Sequence, residues 1–158
     1  MGSSEQPALR MIALAANYSP TLFIHLLRPL RNQPVAIQIL TEEMLAKFAA
    51  GAQVSQGPAG QDLAPLPALI LDKAKPDIVF SSRYNGPLAE ELVAACRARG
   101  IPYVFHLDDN LLEVPLDQGA DKVAYHLHPK RVGALRRQLE ESSLVYLSTD
   151  ALHGRLRE

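Results

Sequence analysis

The stretch Ile101–Pro115, IPYVFHLDDNLLEVP, joins a buried-type strand directly to a cluster of acid and amide groups. Tyr103, Val104, Phe105 and Leu107 are aromatic, β-branched or aliphatic, and a near-continuous apolar run of this kind suits a strand covered by helices on both faces. The run then stops. Asp108, Asp109 and Asn110 are poor strand formers with short polar side chains, so they belong at the strand's carboxyl end. In an open α/β sheet that end is the edge where ligands bind.

Working outward, four further runs have the length and composition of buried strands: Arg10 to Ala16, Val35 to Leu40, Asp77 to Ser82 and Leu144 to Leu147. Helical patterns lie between them. Ser19 can cap the first, with Pro20 in its opening turn and Phe23, Leu26, Leu27 and Leu30 along one face. Thr41 caps the next, whose Met44, Leu45 and Phe48 point inward, while Glu42 and Glu43 favour its positive end. From Ala49 to Gln61 the pattern is lost, as in a mobile loop or a weak edge strand around Gln53 to Ser55. A helix resumes near Pro65 and Pro67, and another begins at Pro87, with Leu88, Leu92, Val93 and Cys96 apolar and Gly100 as its stop. A short helix is expected around Lys122 to Leu127. Pro129 starts a longer one, buried through Val132, Leu135 and Leu139 with its three arginines mostly outside. Ser148 or Thr149 caps a last helix.

Strict alternation of strand and helix predicts a three-layer, Rossmann-like open parallel sheet of about five strands in the order 2-1-3-4-5, with helices on both faces. Residues 1–9 read as a tail and residues 10–158 as a single domain. That topology puts the turns Asn17-Tyr18-Ser19, Arg83-Tyr84-Asn85, Asp108-Asp109-Asn110 and Ser148-Thr149 on one rim, which is the predicted site.

Composition narrows the classes. A chain of 158 residues with net charge -1 lacks the basic excess of a nucleic-acid platform. The single cysteine, Cys96, cannot close an internal disulfide and sits where a packed core thiol is expected. No apolar run approaches the roughly 20 residues of a membrane span, and the opening MGSSEQP has no signal-peptide core, so a cytoplasmic protein is expected.

The rim residues admit several chemistries. Asp108 and Asp109 can hold a metal, accept hydrogen bonds from sugar hydroxyls, or end the strand and cap the following turn; adjacent carboxylates diverge, so one at most reaches a ligand. His106 is a packed core histidine or a base, and the spacing of His126 and His128 puts them on different sides of a helix. Arg83, Tyr84 and Asn85 offer a charge, an aromatic face and an amide for phosphate or sugar recognition, or Arg83 simply solvates the rim. The turn after the first strand has no glycine, which excludes a dinucleotide fingerprint or a P-loop. A phosphorylation receiver is set aside as well, because Asn17 and Arg83 stand where its acidic pair and phospho-acceptor belong.

KPDIVFSS (Lys75–Ser82), IPYVFHLDDNLLEVP and SSLVYLSTDALHGRL (Ser142–Leu156), in that order and separated by helices, resemble the amino-terminal domain of GT-B glycosyltransferases, especially family 4-like enzymes. The resemblance implies a transferase moving a sugar from a nucleotide-sugar donor to an acceptor hydroxyl, without a metal or other cofactor. This domain would hold a sugar or glycan acceptor through Asn17, Tyr18, Ser19, Arg83, Tyr84, Asn85, Asp108, Asp109, Asn110, Ser148 and Thr149, with any catalytic part falling to Asp108 or Asp109. The donor would need a missing carboxyl-terminal nucleotide-binding domain, so this piece alone is expected to be inactive, and the enzyme to be cytoplasmic or peripheral to the membrane. Asn110 in the third acidic position and the glycine-free first turn depart from the family pattern. The alternative is a stand-alone α/β module, without catalysis, that binds a small ligand or another protein.

Overall fold

The computed structural model describes residues 8–56 and 65–156. The expected tail lies outside them through Pro7, as does the end of the unpatterned stretch from Gly57 to Gln61. Five parallel strands, β1 (Leu9–Ala15), β2 (Val35–Thr41), β3 (Ile78–Ser82), β4 (Tyr103–Leu107) and β5 (Leu144–Leu147), pair in the order 2-1-3-4-5. This is the flavodoxin-like order of a doubly wound sheet, with its switch point between β1 and β3. Register fixes which turns meet: Ser82 pairs with His106 and Leu107 with Leu147, so the residues after each emerge side by side.

Helices cover both faces. On one, α3 (Glu42–Gln56), α4 (Pro65–Ala74), α5 (Ala89–Arg99), α7 (Pro129–Glu141) and the short α8 (Asp150–Arg155) contribute Leu45, Leu71, Leu92, Val93, Cys96, Leu135 and Leu152 to a core built on Ile12, Leu14, Val79, Tyr103, Phe105 and Leu107. Each fully buried leucine there stabilises the fold by roughly 2–3 kcal/mol. On the other face α1 (Pro20–Leu22), a π-helical turn (Phe23–Leu27) and α2 (Arg28–Leu30) run on as one rod, whose Leu22 and Leu26 pack on Met11, Ala13, Ala15 and Phe80. A 3-10 turn (Leu116–Gln118) and α6 (Ala120–His126) bridge β4 to α7.

Local chemistry explains these boundaries. Ser19 Oγ accepts from Leu22 N, Thr41 Oγ1 from Met44 N and Thr149 Oγ1 from Leu152 N, so three caps lie where short hydroxyl residues precede helices. Gly100 ends α5 at φ 65. Cys96 is buried in the core, and burial pushes its thiol up to about 12.

Three expectations fail in detail. The stretch expected as a loop or edge strand around Gln53 to Ser55 continues α3 to Gln56: alanine-rich sequence without an amphipathic pattern still has high helix propensity. Met44 and Phe48 are exposed while Leu45 and Ala49 are buried, so the inward face of α3 is rotated from the one expected. Phe23 is exposed because the π turn changes the angular spacing on which a regular apolar stripe depends.

One polar residue belongs to the core. Gln138 of α7 is fully buried, and its Oε1 accepts from Ser81 Oγ (2.7 Å) and Tyr103 Oη (2.8 Å). Its Nε2 donates to the carbonyls of Tyr84 (2.7 Å) and Ala134 (3.1 Å). All four hydrogen-bonding positions of the amide are filled.

Candidate functional site

Parallel pairing brings the turns after β1, β3, β4 and β5 to one edge of the sheet. Arg83 is the hinge of that edge. Its backbone lies at φ 54, a region disfavoured for any residue with a Cβ, and its amide donates to His106 O (2.9 Å), so the β3–β4 pairing continues one residue into the turn. The guanidinium then spans both acids: Nε lies 3.0 Å from Asp108 Oδ1 and Nη2 3.2 Å from Asp109 Oδ2.

The two aspartates have different environments. Asp108 is largely covered and also accepts from Thr21 Oγ1 (3.1 Å), tying the start of the rod to the rim. Asp109 projects outward, with 68% of its side chain exposed. Asn110 turns back on its own loop, accepting from Leu112 N (3.2 Å) and donating to Glu113 (2.9 Å). Ser148 Oγ donates to the Asp108 carbonyl (3.3 Å), whereas Thr149 and Ser19 serve as caps. Asn17 and Tyr18 are exposed. Beside Arg83 a pocket of about 280 Å³ is lined by Asp109, Asn110, Lys122 and His126. Desolvation, followed by the charges of Arg83, Lys122 and Arg131, lowers the His126 pKa.

Tyr84 and Asn85 turn inward instead. Tyr84 is fully buried, with its hydroxyl donating to Pro87 O (2.7 Å), and burial pushes its phenol far above the ordinary range. Asn85 is also buried, and its Oδ1 accepts from Arg131 (3.2 Å). Arg131, expected outside with the other arginines of α7, is drawn into a cluster: it pairs with Glu42 at the start of α3 and lies 3.7 Å from the centre of the Tyr125 ring. The Tyr125 hydroxyl donates to the same Glu42 carboxylate (3.0 Å), and Tyr125 titrates above the ordinary range through burial first and Glu42 second.

Behind the rim lies a histidine pair. His106 is fully buried, with its ring centre 4.5 Å from that of His25 on the π turn and 4.9 Å from that of Tyr146. Its Nδ1 is 3.4 Å from Ser82 Oγ. Desolvation, then His25, lowers its pKa to about 4, against which Asp108 acts weakly upward. Sequence reading found His106 but not His25, because a helical register that includes a π turn cannot be read from spacing alone. The Glu42–Arg131–Asn85 cluster was likewise hidden: its members are 43 residues or more apart in sequence, and no local pattern links them. Among the described residues, no group of three or more His, Cys, Asp or Glu is placed to hold a metal ion.

No family model matches the chain, and no curated protein matches it. Among solved structures, it is similar to the N-terminal domain of a response regulator receiver protein from Methanoculleus marisnigri JR1, at 9% identity over 94% of this chain and 90% of that one, TM-score 0.43. It is also similar to a conserved protein from Enterococcus faecalis V583, at 15% identity over 95% of this chain and 98% of that one, TM-score 0.43. Neither likeness bears on activity at that score. No family model supports the expected GT-B membership and neither neighbour is a glycosyltransferase domain, so that membership, with its transferase activity, is corrected. The physical reason lies in the motifs that suggested it. An apolar strand running into acids, and a strand ending in Ser-Thr before a helix, are strand termination and helix capping, which any doubly wound sheet requires. The nucleotide-sugar donor, the glycan acceptor and the missing half lose their ground with it, and what the chain belongs to is a fold, the five-stranded flavodoxin-like parallel sheet.

Proposed function

We propose that this chain is a non-catalytic α/β binding module whose working edge is the carboxyl rim of its sheet, and that it takes a small polar ligand there. The carrying observation is Arg83, held in a disfavoured backbone conformation and shared between Asp108 and Asp109 beside a pocket of about 280 Å³. A backbone held in that way at a concave edge is a feature of binding sites. The pairing of the charged groups with one another favours recognition over turnover: Asp108 and Glu42 are engaged by arginines, and buried His106 stays neutral down to a pKa of about 4. No helix among the described residues is long and apolar enough to cross a membrane. A cytoplasmic setting fits the reading, since Cys96 is a packed thiol.

The test is a two-dimensional amide NMR titration of the full chain with polar small molecules: carboxylates, free amino acids, sugars and nucleotides. Saturable shifts at Arg83, Asp109 and Asn110, weakened at least tenfold by Arg83→Ala, are expected. Absence of any saturable shift along the rim would overturn the reading.

A further inference from the structure

On the helical side of the same rim a groove of about 670 Å³ opens between α3 and α7, over the loop that leads into α5. Small and apolar residues form part of its lining: Ala46, Ala49, Gly86, Leu88 and Ala134. Charges of both signs complete it. Lys130 and Arg131 come from the first turn of α7, and Glu90 and Glu91 from the first turn of α5. Leu88, the N-cap of α5, sits at φ 65 and offers no side-chain acceptor to the orphan amides of that helix start.

Asn85 decides what the groove is for. It lines the groove and is 95% buried, and its orientation is fixed because the Arg131 guanidinium, which can only donate, takes its Oδ1. The Nδ2 of the same amide is buried with no hydrogen-bond partner. A buried donor left unmade costs about 1–3 kcal/mol, and such a group in a lined cavity is explained by a ligand that supplies the acceptor. Arg131 is already neutralised by Glu42, so Lys130 is the cation left facing an incoming acceptor, while Glu91, and Glu90 with its long 3.9 Å pair to Arg137, face a donor.

We infer that the groove binds a small zwitterion, of amino-acid to dipeptide size, whose carboxylate accepts from Asn85 Nδ2 near Lys130 and whose ammonium group lies against Glu90 and Glu91. Apolar side-chain atoms of the ligand cover the alanines. This inference rests on reading the chain as a binding module and names the ligand class. It adds a contact at Asn85, in the groove, to the rim at Arg83.

The experiment is an NMR titration of the full-length ¹⁵N-labelled chain. The Asn85 side-chain NH₂ pair is identified by its loss in Asn85→Asp, a variant that keeps the acceptor for Arg131. The probes are the common free amino acids and the dipeptide Ala-Ala, with acetate and ethylamine as single-charge controls. The expected result is a saturable shift of the Asn85 NH₂ pair with at least one zwitterion. Binding should weaken at least tenfold in Asn85→Asp and severalfold in Glu91→Gln, at a partly exposed position of α5, and acetate or ethylamine should bind at least tenfold more weakly. An unmoved Asn85 pair, equal affinity in Asn85→Asp, or equal binding of acetate would overturn it. Rim amides at Arg83 and Asp109 that move while the Asn85 pair stays still would refute this inference and leave the rim reading standing. Silence at both places would sink both.

Discussion

Gln138 and Asn85 are both buried carboxamides on the same side of the sheet, yet they differ in what surrounds them. Gln138 joins β3, β4, α7 and the Tyr84 turn through four hydrogen bonds, and nothing of its amide is left over. Asn85 makes one side-chain bond, to Arg131, and its Nδ2 has none. A filled amide in a core fixes the register of the elements around it, whereas a half-filled one beside a groove keeps a donor in reserve. The contrast separates the part of this molecule that specifies its structure from the part that can meet something else.

Gln138→Ala should give the largest loss. It strands the hydroxyls of Ser81 and Tyr103 and the Tyr84 carbonyl, and denaturant unfolding should show a loss on the order of 4 kcal/mol. A loss below 1 kcal/mol would dissolve the contrast with Asn85. Acid should come next. An unfolded histidine titrates near 6.5 and native His106 near 4, so between those values the unfolded chain binds the proton that the native state refuses. Stability attributable to His106 is intact above about pH 6.5, falls as pH drops, and is lost by up to roughly 3 kcal/mol below about pH 4. His25, Asp108 and Arg83 share that environment, so the slope of Tm against pH in His106→Gln, compared with the parent, isolates its share.

Gly86→Ala is expected to cost about 2 kcal/mol, because the added Cβ would lie 2.8 Å from the Tyr84 hydroxyl, which Pro87 O holds in place, and 2.9 Å from Glu42. The smallest effect belongs to Asn85→Ala. It removes one bond to Arg131, next to a groove that admits water, and should cost only about 1 kcal/mol by thermal melting. A cost equal to that of Gln138→Ala would mean that Asn85 is structural too.

The sheet was legible because each strand is a short apolar run bounded by breakers, and alternation with helices leaves few topologies. Tyr103–Leu107 and Leu144–Leu147 fall where their apolar runs begin and end, and the caps at Ser19, Thr41 and Thr149 follow from single residues. The rim turns were legible for the same reason, since parallel strands send all their carboxyl ends one way. Orientation was not. Tyr84 looks like a ligand contact in sequence, yet the Pro87 carbonyl holds its side chain in the core, and Asn85 turns from the open rim toward Arg131 and the groove. Gln138 gave no signal at all: a glutamine among arginines reads as surface, and only a Ser81 and a Tyr103 delivered from distant strands make its burial tolerable. The glycosyltransferase likeness failed because it rested on turn chemistry that many sheets share.

The rod of α1, the π turn and α2 is the only helical layer among the described residues on its face of the sheet, set against the several helices packed on the other. It is held there by Leu22 and Leu26, by the Thr21–Asp108 bond and by the His25 ring on His106. A layer with so few fasteners detaches before the rest, so its amides should trade hydrogen for deuterium well ahead of those in β1, β3 and α5. The acidic turn at the rim therefore also clasps the start of this layer through Asp108, and loosening that bond should speed the layer's exchange further.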